Sequence, residues 1–191
     1  MRDGNLDDAV ELIVKCFRRG GKLLMCGNGG SAADCAHIVG ELAKGFVSRR
    51  PLAPELRARI GKPWADGLQC GLPALDLTAN CALIAAITND IDGLSVYAQQ
   101  VLAYGRPGDV LLGISTSGNS ENVCRAMTTA RALNMATIGL TGAGGGRMAA
   151  LCDVLLDVDA VETYMVQERH LPLYHRLCMR IEQEMFGGTA G

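Results

Sequence analysis

Apolar residues between positions 5 and 19 recur at helical spacing, and the run stops at Gly20-Gly21. This predicts an amphipathic N-terminal helix with a glycine stop. Residues 22–26 form a short apolar run that enters a glycine loop, which predicts a strand. Residues 31–44 predict a helix with Ser31 near its N-cap. Segments 73–88 and 94–104 also read as helices, the first with mixed periodicity. Further along, 110–114 predicts a strand, 119–133 a helix, and 136–140 and 154–158 two more strands. Residues 162–186 form a long final helical region containing Pro172, which lacks a backbone N–H and should start, kink or divide that helix.

The order strand, glycine loop, helix, strand, polar loop, helix, strand predicts an α/β domain whose parallel strands are joined by right-handed crossovers. With no tandem repeat, low-complexity tract or clear linker, residues 1–191 read as one domain. Ligands in such sheets bind at the carboxyl ends of strands, so loops 27–31 and 115–120 should lie on the same side of the molecule.

Composition narrows the field. A formal charge of -2 gives no reason to expect nucleic acid or an anionic membrane as partner. No apolar run approaches the roughly 20 residues of a membrane span, and the N-terminus lacks a basic stretch followed by an apolar one. A cytoplasmic location is expected. Eight cysteines without a Cys-x-x-Cys pair, mostly amid aliphatic neighbours, read as reduced, buried thiols.

The polar loops carry the candidate chemistry. Ser115-Thr116-Ser117-Gly118-Asn119-Ser120 follows a buried strand and opens a helix. Four hydroxyls and the N–H groups of a helix start suit a phosphate dianion. An ordinary N-cap and turn would use the same residue types. The absence of Gly-Lys-Ser/Thr argues against a nucleoside triphosphate. A second loop, Cys26-Gly27-Asn28-Gly29-Gly30-Ser31, ends another strand and favours a ligand cleft. His37 and Glu41, four residues apart, share a helix face and could serve as metal ligands or as a base with its partner. His170 and His175 point about 140° apart on a regular helix and should not share a site.

Taken in order, Cys-Gly-Asn-Gly-Gly-Ser-Ala-Ala-Asp followed by His37 and Glu41, Asn89-Asp90, Gly-Ile-Ser-Thr-Ser-Gly-Asn-Ser, and Gln167-Glu168 with His175 resemble the phosphoheptose isomerases of the SIS family over about residues 5–186. The resemblance implies a single SIS domain, a parallel sheet flanked by helices in a flavodoxin-like three-layer sandwich, assembled as a homotetramer with active sites at subunit interfaces. It implies isomerisation of sedoheptulose 7-phosphate to D-glycero-manno-heptose 7-phosphate, in heptose biosynthesis. By position, His37, Glu41, Gln167 and His175 match zinc ligands, and Glu41 and His175 also match the acid/base pair. Ser115, Thr116, Ser117 and Ser120 match the phosphate cradle, with Asn28, Gly29 and Ser31 beside it. Asp90 and Gln167 match further substrate contacts. Isomerisation of another ketose phosphate, or a non-catalytic SIS module binding a sugar phosphate or a protein, stays open. The non-catalytic relatives lose the acidic and imidazole residues that this chain retains.

Four features bear on the match. Between Phe46 and Asp90 the chain is longer than expected by roughly 20 residues, an insertion placed at about 46–70. Residues 44–62 carry Lys44, Arg49, Arg50, Arg57, Arg59 and Lys62 against Glu55 alone, either a basic rim for a phosphorylated substrate or a solvated excursion. Tyr164, Met165 and Val166 replace residues more usual in the family and bear on which sugar is taken. Finally, Gln167 and His175 lie about 12 Å apart along a regular helix, too far to ligate one ion from one straight helix. Either Pro172 breaks the helix or the site draws them from different subunits, and the shared site is the expectation.

Overall fold

The computed structural model describes residues 3–187. Five parallel strands form one sheet: β1 (Leu23–Gly27), β2 (Ala74–Asp76), β3 (Val110–Ser115), β4 (Ala136–Thr141) and β5 (Val154–Asp157), in the order β2-β1-β3-β4-β5. Strands β1 and β3 are buried along their whole length. Their side chains alternate between two apolar layers, as a period of two requires when helices cover both faces. Leu23, Met25, Leu112 and Ile114 face the layer formed with α1 (Asp3–Arg18), α2 (Gly30–Ala43) and α7 (Thr163–Phe186). Leu24, Cys26 and Leu111 face the layer formed with α5 (Val96–Tyr104) and α6 (Glu121–Ala132). The expected three-layer α/β sandwich is therefore present, with the flavodoxin-type strand order.

The segment 73–88 corrects the expectation of one helix. Ala74–Asp76 pairs with β1 as an edge strand, and the helix α4 is confined to Cys81–Ile87. Local polar chemistry explains the division. Asp76 Oδ1 accepts the Thr78 N–H at 2.7 Å, and Asn80 Oδ1 accepts the Leu83 N–H at 3.0 Å as the cap of α4. A three-residue strand is too short to display alternation.

Pro172 neither starts nor divides α7, which is continuous across it. It lies on the exposed side, where the carbonyl deprived of its donor can reach water.

Between α2 and β2 the chain forms α3 (Pro54–Ile60) and a tight turn at Trp64–Gly67. The basic segment is not uniformly a surface feature. Arg57 pairs with Asp66 at the surface, but Arg50 is wholly buried. Its Nε donates to Glu182 on α7 at 2.8 Å, and its other nitrogens reach the Leu42 and Glu41 carbonyls at 2.7 and 3.2 Å. Arg50 thus belongs neither to a basic rim nor to a solvated excursion, because a guanidinium with a buried carboxylate and two helix-end carbonyls is satisfied internally.

Candidate active site

Strands β1 and β3 are sheet neighbours and flank the point at which the strand order reverses, the usual ligand crevice of an open α/β sheet. The loop after β1 turns sharply. Gly29 has φ +55°, and a Cβ on Gly27 would press into Ser31. Tyr97 donates from its hydroxyl to the Gly27 carbonyl at 2.5 Å and also approaches Asn28 Oδ1. Asn28 exchanges amide hydrogen bonds of 2.9 and 2.8 Å with Asn122 in the first turn of α6. The two polar loops are thereby tied together, as expected from their strands. Neither Tyr97 nor Asn122 stood out in the sequence, since each lies in a helical run with no local motif.

The loop after β3 is equally constrained. Gly118 has φ +66° and packs against the Gly145 backbone so closely that a Cβ has no room. The Ser115 and Ser120 hydroxyls lie 2.9 Å apart, and Asn119 holds the loop by donating to the Ser117 carbonyl and accepting the Arg147 N–H. Ser120 therefore does not cap α6 through its side chain, and α2 likewise begins at Gly29 without a side-chain cap. Two helix starts, with their positive dipole ends, face the same end of the sheet without an internal carboxylate or hydroxyl cap. That arrangement suits an external phosphate better than the ordinary capped turn the sequence also allowed.

Helices α2 and α7 pack side by side and carry the ionisable residues. His37 Nε2 lies 3.2 Å from Glu41 Oε1 and 3.5 Å from His175 Nε2. The other Glu41 oxygen meets Lys44 Nζ at 3.1 Å. Phe46 rests against the His175 ring, with centroids 5.4 Å apart. His37, Glu41 and His175 therefore meet within one chain. Gln167 does not join them: its amide lies against Gly30 at the start of α2, about seven residues or 10 Å along that helix from His37. Asp90 sits in an exposed wide turn, Thr88–Asp92, where Asn89 donates to its carboxylate at 2.7 Å. His170, as expected, lies away from His175, buried within the fold.

Two imidazoles, a carboxylate and an amide are suitable donors for zinc. The separations of 3.2 and 3.5 Å are close to the edge, roughly 3.3 Å, of a tetrahedron with metal bonds of about 2.0–2.1 Å. Yet among the described residues no three His, Cys, Asp or Glu side chains close into a metal-holding group. The donors fit the ion in type and in pairwise spacing, while the full set is not assembled.

This sheet order, with paired polar loops at its switch point, defines an open α/β domain with a ligand crevice at the carboxyl ends of its strands, and comparison with known proteins narrows the class. The family model described as SIS domain matches residues 1–63 and 66–142, so most of segment 46–70 lies within the matched residues. The chain is 45% identical over 178 residues to the phosphoheptose isomerase of Desulfovibrio desulfuricans, covering 93% of this chain and 76% of that one. Among solved structures, the phosphoheptose isomerase of Neisseria gonorrhoeae superimposes with a TM-score of 0.78 at 39% identity, covering 94% of this chain and 86% of that one. That of Francisella tularensis gives 0.80 at 33% identity with the same coverage. The chain belongs to the SIS-domain family and, within it, to the phosphoheptose isomerases.

Proposed function

We propose that this chain is an aldose–ketose isomerase that converts sedoheptulose 7-phosphate to D-glycero-manno-heptose 7-phosphate through an enediol. The observation that carries this is the convergence of Glu41, His37 and His175 in a domain whose two polar loops are tied together at the sheet switch point.

The isomerisation moves one proton between adjacent carbons and another between their oxygens. Glu41 takes the carbon-bound proton and returns it to the neighbouring carbon. His175 moves the proton between the two oxygens from the imidazole side. Ser115, Thr116, Ser117 and Ser120, with Asn28, Gly29 and Ser31, hold the phosphate against the starts of α6 and α2. Asp90 and Gln167 contact the sugar hydroxyls. A zinc ion held by His37, Glu41 and His175 of one chain, with Gln167 supplied by a neighbouring chain, would provide charge stabilisation for the enediolate oxygens. Lys44 and the ion would compete for the Glu41 carboxylate, whose oxygens already meet His37 and Lys44.

We place the protein in the cytoplasm: all eight cysteines are free thiols, and no helix among the described residues is long and apolar enough to cross a membrane. We also assign it a homotetramer with shared sites. Glu41 lies eleven residues into α2, about 16 Å along that helix from the loop end, a long reach for one heptose phosphate.

The test is to incubate the zinc-loaded protein with sedoheptulose 7-phosphate and follow the anomeric signals by NMR. An aldoheptose phosphate should form, and Glu41→Gln should slow it by about 10²–10⁴-fold. No turnover by intact, metal-loaded protein would exclude this substrate, and failure on a panel of ketose phosphates would leave a binding module.

A further inference from the structure

Asn28 follows β1 and is exposed, where an asparagine side chain ordinarily turns freely. Here both its backbone and its side chain are held. The Asn28 carbonyl accepts the Ser31 N–H at 3.0 Å, and the Tyr97 hydroxyl holds the Gly27 carbonyl just before it at 2.5 Å. The two amides of Asn28 and Asn122 bond reciprocally: Asn28 Nδ2 donates to Asn122 Oδ1 at 2.9 Å, and Asn122 Nδ2 donates to Asn28 Oδ1 at 2.8 Å. Asn122 lies in the first turn of α6, so the pair spans the loop after β1 and the helix that follows the loop after β3.

Val123 decides which way round the amides lie. Its N–H is one of the first-turn donors that a helix leaves without an internal partner, and it donates to Asn122 Oδ1 at 3.0 Å. Turning Asn122 over would set its NH₂ group against that N–H, donor facing donor. Its oxygen is therefore fixed, and Asn28 must offer Nδ2 to it. The reverse orientation of Asn28 would oppose nitrogen to nitrogen and oxygen to oxygen. Asn28 Oδ1 also lies 3.2 Å from the Tyr97 hydroxyl, so that oxygen has two donors beside it. Among the described residues nothing further meets Nδ2, which leaves Asn28 with one free N–H and no free acceptor. Such a group suits phosphate oxygens, which accept. An amide free to turn would also present its oxygen to the anion and repel it. We propose that Asn122 is a positioning residue that locks the Asn28 amide with its nitrogen offered to the substrate phosphate and its oxygen held away. The inference rests on the reading above that this crevice takes a phosphorylated sugar, and it adds the residue that orients one of the phosphate donors.

Inorganic phosphate, titrated into the full-length protein and followed by ³¹P NMR, tests this without turnover. Asn28→Ala removes a hydrogen bond to a charged group and should weaken phosphate binding by about 10–100-fold. Asn122→Ala leaves Asn28 in place but free to turn, and should weaken binding by about 3–10-fold, the ordering cost of one side chain. The double variant is decisive: if Asn122 acts through Asn28, it should bind no more weakly than Asn28→Ala alone. Asn122→Asp keeps the side-chain shape and the Val123 bond but sets a second acceptor against Asn28 Oδ1, and its loss should shrink when Asn28 is already alanine. With sedoheptulose 7-phosphate, Asn122→Ala should raise KM and leave kcat nearly unchanged. No phosphate binding by the unaltered protein, or unchanged binding in Asn122→Ala, would overturn the proposal. So would losses that multiply in the double variant, which would make Asn122 independent of Asn28. The phosphate results stand whether or not the sugar is isomerised, so failure of the isomerase reading and failure of this one are told apart.

Discussion

His170 lies three residues after Gln167 and five before His175, yet it does structural work of a different kind. Its ring is fully buried, and among the described residues neither nitrogen has a hydrogen-bond partner. Burial pushes its pKa below the ordinary value, with the Thr141 backbone opposing to a smaller extent. The native chain therefore resists protonating a group that the unfolded chain protonates at about pH 6.5. The contribution to stability is complete above that pH and declines as pH falls from about 6.5 toward the lower native value. Urea unfolding at pH 7.5 and 5.5 should show lower stability at 5.5. The gap should shrink in His170→Leu, whatever that substitution does to stability overall. An unchanged gap would show that carboxylates elsewhere set the slope. At this scale the sequence was legible where spacing fixes direction: the 140° between His170 and His175 correctly separated them. It was silent on Tyr97 and Asn122, which meet their partners only through tertiary packing.

At the scale of elements, the strap 45–50 binds α2 to α7. Glu182 accepts the N–H groups of Phe46, Val47 and Ser48 at 2.9, 2.9 and 3.1 Å, together with Arg50 Nε at 2.8 Å. Burial pushes the Glu182 carboxyl up, but the Phe46 and Val47 amides, then Arg50 and the Ser48 amide, outweigh it and hold the group below the usual range. Arg50 in turn ends α2 by bonding the Leu42 and Glu41 carbonyls. The strap thus fixes the helix that carries His37 and Glu41 relative to the one that carries His175, and sets Phe46 against the His175 ring. Glu182→Gln leaves a buried guanidinium without its counter-charge and should destabilise by about 3–5 kcal/mol in urea unfolding. Arg50→Met should cost less, because Glu182 keeps three backbone donors. Equal losses would argue that the ion pair, not the amide cradle, holds the strap. Composition made Arg50 look like one basic residue among six, since a buried partner 132 positions away leaves no local trace. The same limit hid β2, whose existence depends on pairing with β1 and not on its own pattern. Pro172 misled for the converse reason: its cost depends on which side of α7 meets water.

The whole molecule decides which chains share a site. Helix α7 is unbroken, so Gln167 and His175 stay apart along it, and yet His37, Glu41 and His175 gather within one chain. Any sharing between subunits therefore divides the site differently from the first expectation. In the shared site proposed above, the break would fall between the Glu41 cluster and the phosphate loop. Val161, just before α7, and Tyr164 and Leu171, three residues before and four after Gln167 on it, are all exposed and offer apolar surface that a neighbouring subunit would cover. Two mixing experiments separate the cases. Chains carrying His175→Ala and Glu41→Ala, unfolded together and reassembled, should stay inactive, because both losses fall in one cluster. Chains carrying Glu41→Gln and the pair Ser115→Ala with Ser120→Ala should recover activity, since each supplies what the other lacks. Random assembly at equal amounts places an intact loop beside an intact cluster in about one site in four, so about a quarter of normal activity should return. Recovery in the first mixture alone would divide Glu41 from His175 and contradict the contacts around His37. Recovery in neither would make each chain catalytically complete, with the long path from loop to cluster closed by movement within a subunit.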